Sequence, residues 1–212
     1  MKNLYFTGIL LIIILFSSCT ITQEFHFNKD FSGNYTSTID MSQLIDMMNS
    51  LDSTDGGTGD FKDSLDLILT QAVKKLKTTG VTNLKSGWDA NKALFISYDF
   101  ANIDVLNQAL NKSGMNENST SDEEDFVFFI RKGKTLTYQG IPPKETAEGG
   151  KDLGAMKDYY KYKAVFTFDR KIKKSDNPIY KISEDKHKAV MAAPLFDITK
   201  KDFNTKVRFK LK

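Results

Sequence analysis

The chain has 212 residues, with 30 lysines and arginines against 27 aspartates and glutamates, a net charge of +3. An apolar content of 40% with sixteen phenylalanines provides for a sizeable core and excludes a disordered tether. One cysteine and two histidines exclude an intrachain disulfide and argue against a metal centre built on thiolates and imidazoles.

The first eighteen residues carry one charge, Lys2, followed by an apolar run that reaches Phe16. The run is shorter than the roughly 20 residues a membrane span needs. Small residues Ser17 and Ser18 then precede Cys19, as in a secretory signal peptide. Phe16-Ser17-Ser18-Cys19 resembles the lipobox of bacterial lipoproteins. The resemblance implies cleavage between Ser18 and Cys19 and acylation of Cys19 by palmitate-like chains. It implies a cell-envelope address with a membrane anchor. Thr20 stands where an aspartate resembles an inner-membrane retention signal, which favours the outer membrane.

In chain order, Phe25, Phe27 and Phe31 alternate with polar residues and predict a strand. A turn at Ser32-Gly33-Asn34 leads into a second strand over Tyr35 to Ile39. Asp40 or Ser42 caps a short helix through Asn49. After a glycine- and aspartate-rich loop over 52–60, Asp60 caps a longer helix. There Phe61, Leu65, Leu69, Ala72 and Leu76 form one apolar stripe, and Gly80 ends it. Val81 to Trp88 and Ala93 to Phe100 read as paired strands. Asn102 caps a helix carrying Ile103, Leu106 and Leu110, and a strand over Phe126 to Arg131 follows a polar loop.

Gly133 turns the chain into Thr135 to Tyr138. Residues 140–154 are an excursion rich in glycine, proline and charge. Tyr160 to Phe168 alternates strictly, and Ile179 to Ile182, Ala189 to Ala192 and Val207 to Leu211 read as further strands. From the second strand to residue 131 the order is β-α-β-β-α-β, the split arrangement of ferredoxin-like folds. The predicted fold class is therefore α+β: an antiparallel sheet with helices on one face, extended by C-terminal strands. The predicted organisation is a signal peptide over 1–18 and a single domain over 19–212. Within that domain, 21–131 is the ferredoxin-like part and 132–212 a basic, strand-rich extension.

Several segments together resemble the LppM-like domain of bacterial envelope lipoproteins. They are Cys19 followed by the hairpin Phe25-His26-Phe27-Asn28-Lys29-Asp30-Phe31-Ser32-Gly33, and Gly80-Val81 after the long helix. Ser97-Tyr98-Asp99-Phe100 and Leu106-Asn107-Gln108-Ala109-Leu110-Asn111 complete the set. The resemblance covers 19–131 best. It implies an envelope protein that binds lipid or glycolipid, with no catalytic residues to transfer.

Charge is unevenly placed. Residues 19–130 carry 8 basic against 17 acidic residues, and 131–212 carry 21 against 10. Either the two halves interleave and neutralise each other, or the second half presents a basic face. Lys206, Arg208, Lys210 and Lys212 alternate with Val207, Phe209 and Leu211. Period two places the four cations on one face, about 6.8 Å apart at ~3.4 Å per residue. Such a stripe suits lipid phosphates or acidic polysaccharide, and it lies near Lys171, Lys173 and Lys174 if the fold allows; the plainer reading is a solvated face, or lysines shielding an edge strand.

His26 and His187 have no second ligand at metal spacing. No nucleophile elbow or phosphate loop is present, so no enzyme activity, cofactor or metal is expected. The aspartates of 52–60 fail the calcium-loop pattern, and Asp122-Glu123-Glu124-Asp125 reads as a charge brake beside an apolar strand. Asp52-Ser53-Thr54 and Asp63-Ser64-Leu65 match a short O-glycosylation sequon. The leading reading is an anchored, non-enzymatic binding protein for a lipid, glycolipid or other envelope component; the alternative is an assembly subunit of an envelope complex. A third, an unrecognised hydrolase, would need His26 or His187 within hydrogen-bond reach of both a serine and a carboxylate. Nucleic acid is not an expected partner. A lipid cavity would lie between helices and sheet, lined by residues such as Leu65, Leu69, Leu94 and Ile96.

Overall fold

The structure is a computed structural model that describes residues 19–51, 57–115, 125–140, 160–198, 200 and 202–212. The signal segment with Ser18, the Asp52-Ser53-Thr54 sequon, residues 122–124 and the excursion from 141 lie outside those residues.

The chain opens with β1 (Cys19–Phe27) and β2 (Gly33–Asp40), paired antiparallel from Ile21↔Ile39 to Phe27↔Gly33. The turn falls at 28–32, earlier than the sequence suggests. The Asp30 carboxylate accepts from the Ser32 amide at 3.0 Å and its hydroxyl at 2.7 Å, an Asx turn that closes the hairpin. Gly33 is already in the strand. A Cβ there would stand 1.8 Å from the His26 carbonyl oxygen, so the glycine permits close approach of two backbones. Phe31 sits in the turn at φ 71° yet is buried. Arg131 lies over its ring at 4.5 Å, an attraction that offsets the backbone strain.

Helix α1 (Ser42–Leu51) follows, its first turn held by Asp40, which accepts from the Ser42 amide at 3.0 Å. Helix α2 (Gly57–Leu76) starts three residues before Asp60, so Asp60 lies in its first turn and is not its cap. Next come β3 (Thr82–Trp88), β4 (Ala93–Phe100) and α3 (Ile103–Leu110). Asn102 caps α3 by accepting from the Val105 amide at 3.0 Å. A π turn over 111–115 extends that helix. The remaining elements are β5 (Phe129–Lys132), β6 (Thr135–Tyr138), β7 (Tyr160–Phe168), β8 (Ile172–Ser175), β9 (Lys181–Ile182), β10 (Lys188–Pro194), the short α4 (Leu195–Ile198) and β11 (Val207–Leu211).

These strands form two sheets. The larger has the order β3-β4-β2-β1-β7-β10-β9 and the smaller β5-β6-β11-β8. The fold is α+β, as expected, and β3-β4-β2 is the strand order of a ferredoxin-like unit. The place of that unit's fourth strand is taken by β1, while β5 starts the second sheet. β7 pairs in parallel with β1, from Cys19↔Tyr160 to Phe27↔Phe168. All other pairings are antiparallel.

The two sheets meet in one aromatic core. Period two sends Phe25 and Phe27 of β1, and Phe166 and Phe168 of β7, to the same face. Register makes them stacked pairs, with Phe25–Phe166 at 5.1 Å and Phe27–Phe168 at 5.4 Å. The second sheet closes over them through Phe129, 5.1 Å from Phe25, and Phe209, 5.3 Å from Phe166. Leu76, Ile103, Leu106, Ala109 and Leu110 bring α2 and α3 into the same cluster.

Asn107 and Asn111 then stitch α3 to the start of β5. Asn107 donates to the Phe129 carbonyl at 2.9 Å and accepts from its amide at 2.8 Å. Asn111 does the same for Phe126, at 2.9 and 3.0 Å. Two side chains one helical turn apart thus satisfy the backbone of an incoming segment as a neighbouring strand would.

Candidate functional site: a basic sheet face

β11 alternates without exception: Val207, Phe209 and Leu211 are buried, while Arg208 and Lys210 are exposed. The alternation turns one face into the core and presents cations on the other. β11 is an interior strand, between β6 and β8. Shielding of an edge therefore does not account for its lysines, which corrects that reading.

Register extends the stripe sideways. Lys210 pairs with Thr135 of β6 and with Lys174 of β8, and Thr135 pairs with Lys132 of β5. Lys132, Thr135, Lys210 and Lys174 therefore form one row across all four strands. Strand spacing of about 4.8 Å puts Lys174 one step and Lys132 two steps from Lys210. The next row holds Ile130, Thr137 and Arg208.

This face is concave and encloses about 1000 Å³. Its lining includes Lys132, Thr135, Thr137, Gln139, Lys174, Asp176, Asn204, Lys206, Arg208 and Lys210. Lys206 is held in place from behind, because Asn177 donates to the carbonyls of Asn204 and Lys206 at 2.9 and 2.8 Å. Tyr180 adds a hydrogen bond to the Thr205 carbonyl at 2.6 Å. Arg208 is paired with a carboxylate: its amide donates to Asp176 at 2.7 Å and its guanidinium Nε at 3.1 Å, in an exposed ion pair. Partial burial works to raise the Asp176 pKa, but these contacts prevail and hold the carboxyl below the ordinary range. Among the described residues, Lys132, Lys174, Lys206 and Lys210 meet no carboxylate.

Of the four stripe residues singled out in the sequence, Lys206, Arg208 and Lys210 line the concavity. Lys212 stands beyond it, its amide bonded to the Lys171 carbonyl at 3.0 Å. Of the neighbours that the fold had to allow, Lys174 joins the row by pairing with Lys210; Lys132 was missed, because only cross-strand register brings it in. Lys173 falls at the irregularity where β8 shifts register against β11.

Cys19 is the first residue of β1, half-buried and not in a disulfide. Its thiol donates to the Asp40 carbonyl at 2.8 Å. Burial, and secondarily the Asp40 charge, push its pKa up, so the thiol lacks the thiolate character of a reactive cysteine.

The two histidines lie apart from this face. His26 contacts Asp169 at 3.0 Å and lines a concavity of about 340 Å³ with Asn34 and Asp99. His187 Nδ1–H donates to the Phe168 carbonyl at 2.7 Å. Among the described residues neither bridges a serine and a carboxylate. No group of three metal-ligating side chains occurs among them either.

Of the residues named for a lipid cavity, Leu94 is buried and Ile96 packs on the core, while Leu65 and Leu69 are half-buried. On the same helix Leu67 and Ile68 are 60% and 61% exposed. No described helix is long and apolar enough to cross a membrane.

The fold and this face define an α+β, two-sheet protein with a cationic concavity. No protein-family model matches the chain, and no curated protein matches it. Among solved structures it is similar to the folded domain of LppM from Mycobacterium tuberculosis, determined by NMR. Identity is 8%, 92% of this chain and 90% of that chain are covered, and the TM-score is 0.43. This is a weak likeness in fold alone.

Proposed function

We propose that the protein is an envelope lipoprotein, anchored in the outer membrane through acylated Cys19, whose domain is a non-enzymatic module binding an anionic envelope component on the basic sheet face. The observation that carries the binding role is the row Lys132, Thr135, Lys210 and Lys174, three cations without carboxylate partners among the described residues. Like charges on directly opposed residues destabilise a sheet. Keeping Lys174 opposite Lys210 therefore has a folding cost that a bound anion offsets. The anchor reading is supported by Phe16-Ser17-Ser18-Cys19.

Two experiments test the two parts. Metabolic labelling with an alkyne-tagged palmitate should mark the full chain and leave Cys19→Ser unmarked and released from membranes; a labelled variant sinks the anchor. Flotation of the unlipidated chain from residue 19 with phosphatidylglycerol vesicles at low salt should retain the protein and lose its Lys174→Gln/Lys210→Gln variant. Equal flotation of both sinks the basic face as the binding surface.

A second reading, an assembly subunit of an envelope complex, is favoured by exposed Leu67 and Ile68 on α2. Photocrosslinking from position 68 in intact cells should then give one discrete adduct that Leu67→Ser abolishes.

A further inference from the structure

The basic face points to a narrower ligand class than an anion in general. From its geometry we infer that it takes a phosphorylated saccharide carrying two anionic groups, one seated between Lys174 and Lys210 and the other at Lys132. This rests on the binding role proposed above and deepens it.

Three observations lead there. The first is spacing. Lys174 and Lys210 are direct cross-strand partners, so both can reach one multiply charged group. Lys132 starts two strand steps, about 9.6 Å of backbone spacing, from Lys210, which leaves room between them for a ligand with a second anionic group. A phosphate held by Lys174 and Lys210 then leaves Lys132 for that second group.

The second is what lies between the cations. Thr135 separates Lys132 from Lys210 within the row, and Thr137 and Gln139 continue along β6, with Asn204 at the rim. These hydroxyl and amide groups both donate and accept. That is the chemistry that matches ring hydroxyls bridging two charged ends.

The third is what the face lacks. Among the lining residues only Ile130 and Pro178 are apolar, and none is aromatic. A nucleobase finds no ring to stack on here, and the apolar surface of the face comes from Ile130, Pro178 and the aliphatic stems of its polar side chains. Arg208 is engaged with Asp176. The lysines are therefore the charges available to the ligand, and lysine suits phosphate as a point charge.

The test is calorimetric titration of the full chain in a non-ionic detergent with glucose 1,6-bisphosphate, glucose 6-phosphate, pyrophosphate and inorganic phosphate. The bisphosphate should bind at least tenfold tighter than the monophosphate and tighter than pyrophosphate. Lys132→Gln should erase that advantage by weakening the bisphosphate at least tenfold and the monophosphate far less, while Lys210→Gln should weaken both alike. Equal affinity for the two sugar phosphates overturns the two-anion site, and equal affinity for pyrophosphate and the bisphosphate overturns the saccharide. If none of the four binds while Lys174→Gln/Lys210→Gln still abolishes vesicle flotation, the inference fails and the broader binding role stands. If neither titration nor flotation responds, both fall.

Discussion

The buried tyrosines separate hydroxyls that contribute to stability from those that do not, Tyr98 and Tyr138 being the two without a hydrogen-bond partner among the described residues. Tyr162 donates to Gln23 at 2.6 Å inside the core. The Tyr98 hydroxyl, equally buried, meets no hydrogen-bond partner. Burial first, then the neighbouring Tyr35, hold the Tyr98 hydroxyl well above its ordinary pKa, so it stays neutral at all working pH values. Tyr98→Phe should therefore be neutral or stabilising by up to ~1 kcal/mol, and Tyr162→Phe should cost about 1–2 kcal/mol. Urea midpoints of the two variants decide the point.

Asp176 offers a residue-level test of the basic face. Its folded-state pKa lies below the unfolded value, so its pairing with Arg208 contributes stability above about pH 4. That contribution is lost as pH falls through the lowered folded value. Asp176→Asn should flatten the acid limb of the stability curve below about pH 4. The same change removes the one described carboxylate lining the face. Anion affinity at neutral pH should then rise about three- to fivefold at low salt, the scale of one unit charge at a few ångströms in water. Weaker binding would mean that the position of Arg208 matters more than the charge removed.

Among the elements, the join between α3 and β5 replaces a strand pairing with two asparagines. Asn107→Leu leaves the Phe129 amide and carbonyl without their partner, at a cost of about 2–4 kcal/mol. Asn107→Asp, which keeps only the acceptor, should fall between. A urea midpoint unchanged by Asn107→Leu would show that another group or water takes over both bonds.

How much of this was legible in the sequence differs by element. β7 and β11 were readable from strict alternation, because each has one face in the core. β8 was not: it has four residues, and the irregularity near Lys173 breaks the period. The first half of β1 was hidden too, since Thr20 to Glu24 has no clean alternation and follows the signal-like segment. For the candidate site, the Lys206–Lys210 stripe was visible. Lys132 and Lys174 join it only through register, which is set by long-range pairing and is absent from any local pattern. The ferredoxin-like order was readable through α3, but no local signal could send β5 to the second sheet or place β7 beside β1.

Over the whole molecule, the charge asymmetry resolves into two outcomes. The larger sheet interleaves strands of the acidic half, β1 to β4, with β7, β9 and β10 of the basic half. The smaller sheet draws β6, β8 and β11 from the basic half, with β5 at the boundary. Neutralisation by interleaving therefore holds for one layer only, and the surplus collects on the other. Binding to an anionic surface should weaken steeply between 50 and 300 mM salt, as roughly expected for exposed charges screened over ~10 Å or less. Flotation across that range measures it; salt-independent retention would point to apolar contact in place of charge.

The position of Cys19 has a mechanical consequence. It opens a strand paired on both sides, so the proposed acyl anchor on it would leave no free linker between lipid and domain. The nine-residue strand rises roughly 30 Å at most, the scale of the layer beside the bilayer in which such a domain would be held. A domain so anchored would search that layer in two dimensions. A twenty-residue Gly-Ser insertion after Cys19 would add about 25 Å of root-mean-square reach. It would exchange that confinement for volume, diluting the basic face with respect to anything held at the bilayer.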